Sequence, residues 1–276
     1  MDHLDETKPQ LGETPSWYLD PLVAGQKRAV HENWIRRSVG NRPHAVVLKT
    51  DLFEEAYGLD RLLFGLFPDA SRVIGVDVEF RTVRAASARG GPGFVCAAAD
   101  VLRLPFPADS VDVIVSTSTL DHFASGEELG KAIGELARVL RPGGIVLMTL
   151  DNPRNPLYHV LRWCSRRGWT PFELGHTASR AALVRSLKGN GFTVESTEYL
   201  IHNPRLISTV LFLALRKVFG RYAELPVRAL LKLFSLCGHL PTRSVTGCFV
   251  GACGVKTGSQ PAPGRVSRMR PSPRSW

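Results

Sequence analysis

Between residues 73 and 150 short apolar runs alternate with amphipathic stretches, and two of the runs close on an aspartate. The runs are VIGVD, ending at Asp77; FVCAAAD, ending at Asp100; the start of VDVIVSTSTLDHF; and GIVLMTL behind an RPGG turn. Short, nearly continuous apolar runs predict strands buried on both faces. Strands are predicted over 44–48, 73–77, 94–99, 111–115 and 144–150. Helices are predicted between them over 58–67, stopped by Pro68, over 79–89, and over 127–140 with Ser125 as N-cap. An earlier helix is predicted over 21–37. Its apolar residues Leu22, Val23, Val30, Trp34 and Ile35 fall near helical spacing, with Asp20 as N-cap and Pro21 in the first turn.

After Asp151 the pattern changes. DNPRNPLYHVLRWCSRRGW predicts a loop entering a short helix. An amphipathic helix over 179–190 is followed by a GNG turn and a strand over 192–202, then by two helices and a last strand over 245–255. Strands alternating with helices predict an α/β fold, a doubly wound and mostly parallel sheet covered on both faces. The organisation expected is a mobile segment over 1–15, one domain over 16–256 and a disordered basic tail over 257–276. Within the domain, the core spans 44–150 and a helical insertion spans 203–243. The tail, TGSQPAPGRVSRMRPSPRSW, is too rich in Pro, Ser, Gly and Arg to build a core.

Composition narrows the function classes. At 44% hydrophobic and 22% charged residues the chain reads as soluble and globular. The net charge of +10, read over the whole chain, looks spread out with part in the tail, so nucleic acid is disfavoured as a partner. Cys96, Cys164, Cys237, Cys248 and Cys253 form no CxxC, zinc or radical-cluster spacing. Cys248 and Cys253, in an apolar run, read as buried thiols. No metal site is expected. The acidic, polar start lacks a secretory pattern, so a cytoplasmic setting is expected. No GxGxxG or GxSxG is present, which counts against a dehydrogenase and an α/β hydrolase. The run LISTVLFLAL is too short to span a bilayer. With RKVFGRYAELPVRALLKLF it reads as a packed helical pair, or as a surface for peripheral membrane contact or a greasy substrate.

In a doubly wound sheet, ligands bind outside the carboxyl ends of the strands. Asp77 there can accept from a ribose diol and Asp100 from an adenine amino group. Each charge-assisted bond contributes about 1.5–3 kcal/mol. The competing readings are a helix N-cap for Asp77 and a turn aspartate for Asp100. Asp112 begins its strand, at the opposite end, and reads as structural.

The order strand–acid, strand–acid, strand, helix, RPGG, strand resembles the class I S-adenosylmethionine (SAM) dependent methyltransferases, in particular the small-molecule type 11 branch. The resemblance covers 46–150 and weakens towards 255. It implies a Rossmann-like seven-stranded sheet whose last strand inserts antiparallel, with SAM as cofactor. It implies cofactor contacts from Asp77, Val78, Ala99, Asp100 and Val101. After the first strand most members carry an acid and a run of glycines. Here the segment is VVLKTDLFEEAYG, with Gly58 as the one candidate for close backbone approach. The resemblance then puts Thr50 and Asp51 beside the methionine part of SAM, with Glu54 or Glu55 as alternative acceptors for its ammonium. It puts Ser116 and Thr117, which open STSTLDHF, beside the transferred methyl.

Asp121 and His122 lie in the same segment, and His122 is the candidate general base; capping and packing is the competing reading. DNPRNP is similar to the Asn-Pro-Pro-aromatic motif of amino-group DNA methyltransferases, but it follows the wrong strand and lacks the second adjacent proline. DNA methylation is therefore excluded on this motif. Asn152 and Asn155 line the acceptor side or fix a turn. His176 and His202, at element ends, face the acceptor or merely pack. The expectation is methyl transfer to a small-molecule O, N or C acceptor, with the 21–37 helix and the 206–240 segment as an apolar lid. Two alternatives are a non-catalytic scaffold and a nucleic-acid-modifying enzyme.

Overall fold

Successive residues of the central strands face opposite sides of one sheet, and both sides are covered. The computed structural model describes residues 21–42, 44–58, 65–91, 93–169 and 174–258. Strands β1 (Val46–Lys49), β2 (Arg72–Asp77), β3 (Phe94–Ala98), β4 (Val111–Thr117), β5 (Leu140–Asp151), β6 (Phe192–Leu200) and β7 (Phe249–Lys256) form one sheet. Their order is β3-β2-β1-β4-β5-β7-β6. The first five strands pair in parallel, and β7 runs antiparallel to both β5 and β6.

The helices are α1 (Pro21–Val39), α2 (Phe53–Tyr57), α3 (Phe80–Arg89), α4 (Gly126–Val139), α5 (Pro156–Arg166), α6 (Arg180–Gly189), α7 (Arg205–Phe219), α8 (Glu224–Leu236) and α9 (Arg243–Thr246). Leu48, Ile114, Val146 and Met148 point to one face, under Ile133 and Leu136 of α4 and Leu183 and Leu187 of α6. Their neighbours Val47, Val113, Val115, Ile145 and Leu147 point to the other, under Trp34 and Ile35 of α1. The period of two, with both faces apolar, is why these strands read as unbroken hydrophobic runs.

Ser125 and Ser179 cap α4 and α6 by accepting from Glu128 N and Ala182 N. Three boundaries differ from the sequence reading by more than two residues. Gly58 is extended and so does not begin the helix expected over 58–67, whose residues 59–64 lie outside the described set; preceding it is a short helix, α2. Glu54 and Glu55 sit in its first turn, where the helix dipole favours acids. β5 starts at Leu140 and absorbs RPGG as an irregularity between Val111 and Val113 of its neighbour. Residues 243–246 form α9, and β7 starts only at Phe249, after Gly247.

The Asp20 cap and the segments 1–15 and 259–276 fall outside the described residues. Asp112 is structural: its Oδ2 accepts from Val46 N at 2.8 Å and its Oδ1 meets Arg141 at 2.6 Å. All five cysteines are free, and Cys248 and Cys253 are buried. Burial pushes the Cys253 thiol up to about 11. Among the described residues no helix is long and apolar enough to cross a membrane.

Candidate active-site cleft

Strand order reverses between β1 and β4, and a cleft of about 1850 Å³ opens there at the carboxyl ends. A single small ligand commonly occupies about 300–1,000 Å³, so this cleft has room for two molecules. Thr50, Asp51, Asp77, Val78, Ala99, Asp100, Val101, Thr117, Asp121 and His122 all line it. Ser116 and Gly58 do not. Ser116 is fully buried behind Thr50, whose hydroxyl donates to Ser116 Oγ at 2.9 Å.

The Asp77 carboxylate is held by backbone. Leu52 N donates to its Oδ2 at 3.1 Å and Glu79 N to its Oδ1 at 2.8 Å. Burial pushes its pKa above the ordinary carboxylate value; the Glu79 amide pulls it down, and the nearby Asp51 carboxylate raises it further. Two acids close together in a partly buried pocket suit a ligand that brings hydroxyl donors and positive charge. The helix-capping alternative for Asp77 is not what is observed, since Glu79 caps α3. Asp100 is exposed in the cleft, and its Oδ1 accepts from Leu102 N at 2.8 Å. That bond closes a turn, so the turn reading and the cleft position hold together. Ala99 and the buried Val101 flank it as an apolar pair suited to the face of a base.

The first loop replaces flexible glycines with fixed partners. Lys49, 1% exposed, pairs with the fully buried Glu55 at 2.7 Å and also donates to the Asp51 carbonyl. Asp51 Oδ1 accepts from Phe53 N at 2.8 Å, which starts α2. Lys27 of α1 pairs with Glu54 across the top of the loop. Leu52 lies directly against Gly75 of β2, where any Cβ would overlap its side chain. The close-approach glycine of this region is therefore Gly75, in a strand. Gly58 also leaves no room for a Cβ, but the atoms it would meet belong to Glu54, not to the cleft.

At the tips of β4 and β5, Ser118 adopts φ 54° and its amide donates to Thr149 Oγ1 at 3.1 Å. Ile201, after β6, adopts φ 57°. Both line the cleft, and left-handed backbone at a β-branched residue is strain held by its surroundings. Asp121 is buried, and its Oδ1 lies 4.0 Å from Nε2 of the half-exposed His122. Asp151, at the end of β5, is buried and lines the same cleft; the sequence reading passed over it.

Asn152 and Asn155 do not line the cleft. Their side-chain amides donate to Gly247 O at 2.8 and 3.2 Å and hold the turn before β7. His176 is also outside the lining. His202 lines the cleft with both ring nitrogens engaged, Nδ1 with Thr246 Oγ1 at 2.8 Å and Nε2 with Tyr199 O at 3.2 Å. Among the described residues no group of three or more His, Cys, Asp or Glu is arranged to hold a metal ion.

The roof is helical. Val23, Lys27 and Val30 of α1 and Leu213 and Phe234 of α7 and α8 face the cleft, with Ser235, Gly238, His239 and Arg243 beyond them. Phe212, Val227 and Leu231 fasten the two later helices to Leu22 and Val23.

Known proteins resemble this chain in sequence and in fold. The Methyltransferase domain family matches residues 56–148. A protein of Mycolicibacterium smegmatis described as a probable S-adenosylmethionine-dependent methyltransferase is 33% identical over 155 residues, 55% of this chain and 54% of that one. A tRNA (carboxymethyluridine(34)-5-O)-methyltransferase of Arabidopsis thaliana is 35% identical over 77 residues, 28% of this chain and 18% of that one. The chain thus spans about half or less of the length of these curated relatives. The crystal structure of an S-adenosylmethionine-dependent methyltransferase from Mesorhizobium loti superposes with a TM-score of 0.55 at 16% identity, covering 81% of this chain and 96% of that one. Residues 56–148 thus carry the matched methyltransferase domain, and the sheet order with antiparallel β7 is that of the Rossmann-like methyltransferase fold.

Proposed function

We propose that the chain binds SAM and transfers its methyl group to a small-molecule O, N or C acceptor held under the α1–α7–α8 roof. The observation that carries this reading is the joint placement of Asp77 and Asp100 in one roofed cleft large enough for two ligands. The residues present fit the cofactor. Asp77 and Val78 would hold the ribose, Ala99, Asp100 and Val101 the base, and Thr50 and Asp51 the amino-acid part. When bound, SAM supplies a methyl on an activated sulfonium. The chain's own task is then alignment, which can contribute about 7–11 kcal/mol in favourable cases.

His122 stands at the cleft with Asp121 beside it, where it could take a proton from an acceptor hydroxyl or amine. Asp151 is a second carboxylate facing the same space. The apolar part of the roof favours an aromatic or lipid-like acceptor. The free cysteines suit a reducing cytoplasm.

The relatives named as tRNA methyltransferases align over 75–77 residues, 27–28% of this chain, too short a match to carry their acceptor over to it. Nucleic-acid modification is therefore the lesser reading. It predicts affinity for RNA that falls steeply with salt. A non-catalytic scaffold is favoured only by the glycine-poor first loop.

Calorimetric titration with SAM tests the proposal. Wild type is expected to saturate. Asp77→Ala should weaken SAM roughly tenfold or more, the loss of a charged hydrogen-bond partner, whereas His122→Ala should leave SAM affinity unchanged. No heat with wild type would favour the scaffold, and an unaltered Asp77→Ala affinity would remove the ribose assignment.

A further inference from the structure

The positive charge of this chain is concentrated. Residues 203–243 hold seven Lys or Arg and a single acid, Glu224, and so carry six of the ten net charges. Residues 257–276 carry the other four, which leaves the remaining chain neutral. The whole-chain figure hides this, because the sheet region is itself balanced.

The same segment exposes apolar side chains in one place. Val218 is 75%, Phe219 48%, Tyr222 64% and Leu225 76% exposed, at the end of α7, the turn after it and the start of α8. Single exposed apolar residues are ordinary, but a contiguous group on a charged rim marks an interaction surface. The rim here is basic: Arg216, Lys217, Arg221 and Arg228 are all exposed. Arg221 lies over the Tyr222 ring at 4.8 Å, and Glu224 is paired with Arg228 at 2.6 Å, so the one acid is already neutralised.

We infer that the α7–α8 tip docks on an anionic lipid bilayer. Val218, Phe219, Tyr222 and Leu225 would enter the headgroup boundary while Lys217, Arg221 and their neighbours meet lipid phosphates. An apolar face with a cationic rim is what interfacial binding requires, and neither helix is long enough to span. Nucleic acid fits the charge and could stack on Phe219 or Tyr222, but it gives Val218 and Leu225, the two most exposed apolar side chains of the tip, no apolar medium to enter. Away from the tip, the same two helices present Leu213, Phe234 and Ser235 to the cleft. A docked tip therefore sets the roof of the cleft at the bilayer surface, within reach of an acceptor dissolved in lipid. The inference rests on the roof and its charge, and it stands whether or not methyl transfer is the reaction.

Cosedimentation of the full chain with vesicles, without SAM, tests it. Binding is expected to phosphatidylcholine vesicles containing about one-third phosphatidylglycerol, with little to pure phosphatidylcholine, and should weaken as salt rises. The double variant Val218→Asp, Leu225→Asp should bind about tenfold or more weakly, since it removes apolar area and adds repulsion. Lys217→Gln with Arg221→Gln should lose about fivefold per charge. Both pairs leave the basic tail intact and touch no cleft residue, so retained circular dichroism isolates the tip. Equal binding to neutral vesicles, no binding to anionic ones, or full binding by both variants would overturn the proposal. So would a wild-type dimer that the Asp variant converts to monomer, because a second copy would then be the occupant.

Discussion

The two sides of the cleft are built differently. On the side of β1–β4 each acid is fixed by main-chain amides: Asp77 by Leu52 and Glu79, Asp51 by Phe53, Asp100 by Leu102. These sit on strand tips whose side chains, such as Leu48 and Ile114, are fully buried. On the other side α7 and α8 are fastened by a small cluster around Phe212, Val227 and Leu231, with exposed apolar residues beyond it. Few buried contacts, among the described residues, mean a low cost of local opening. The strand side holds a fixed geometry, and the helical side can open to admit a ligand without unfolding the sheet.

The largest effect comes from breaking what stiffens the first loop. Glu55→Ala leaves the Lys49 ammonium buried without its carboxylate, and such losses cost about 3–5 kcal/mol. Urea denaturation should show that fall. Lys49→Met combined with Glu55→Leu should recover most of it, because two apolar side chains of similar size need no pairing. A drop of under about 1 kcal/mol in Glu55→Ala would mean that the ion pair does not hold the loop.

Next comes a matched pair of truncations. Ile133→Ala, under the sheet, should cost about 2–5 kcal/mol of global stability. Leu231→Ala removes a side chain of the same size from the roof. Its cost should fall on local opening, with the global midpoint moving by under about 1 kcal/mol and amide exchange in α7 and α8 rising. If Leu231→Ala lowers the global midpoint as much as Ile133→Ala, the roof folds with the sheet and the contrast between the two sides fails.

The strand side was also the legible one. β2, β3 and β4 announce themselves because a strand buried on both faces needs an unbroken apolar run, and Asp77 and Asp100 stand out as the charges that end such runs. The first loop was not legible. FEEAY is too short for a helical period to register, and what fixes α2 is nonlocal: Leu52 on Gly75, and Lys49 on Glu55. Lysine closing an otherwise apolar strand, with an acid six residues on, was the available signal. Asn152 and Asn155 read as site residues because polar groups after β5 point towards the strand tips. Their partner is Gly247, more than ninety residues away, and no local pattern reports it. Asp151 was hidden at the join between an apolar strand and a proline-rich loop.

The smallest effect concerns the base of the roof, where His202 follows β6 and precedes α7. Burial lowers its pKa below 6.5; the Tyr199 carbonyl opposes that shift, and His239 adds to it. Nε2 faces the Tyr199 carbonyl, so the neutral ring carries its proton there and Nδ1 accepts from Thr246. As pH falls through 6.5 the unfolded chain takes up this proton before the folded one does. Stability contributed by the neutral ring is therefore complete above 6.5 and is lost as the pH drops below it. Thermal unfolding of wild type and His202→Asn across that interval separates this residue from the other histidines. The wild type should lose stability more steeply on acidification, and parallel curves would show that the ring titrates alike in both states.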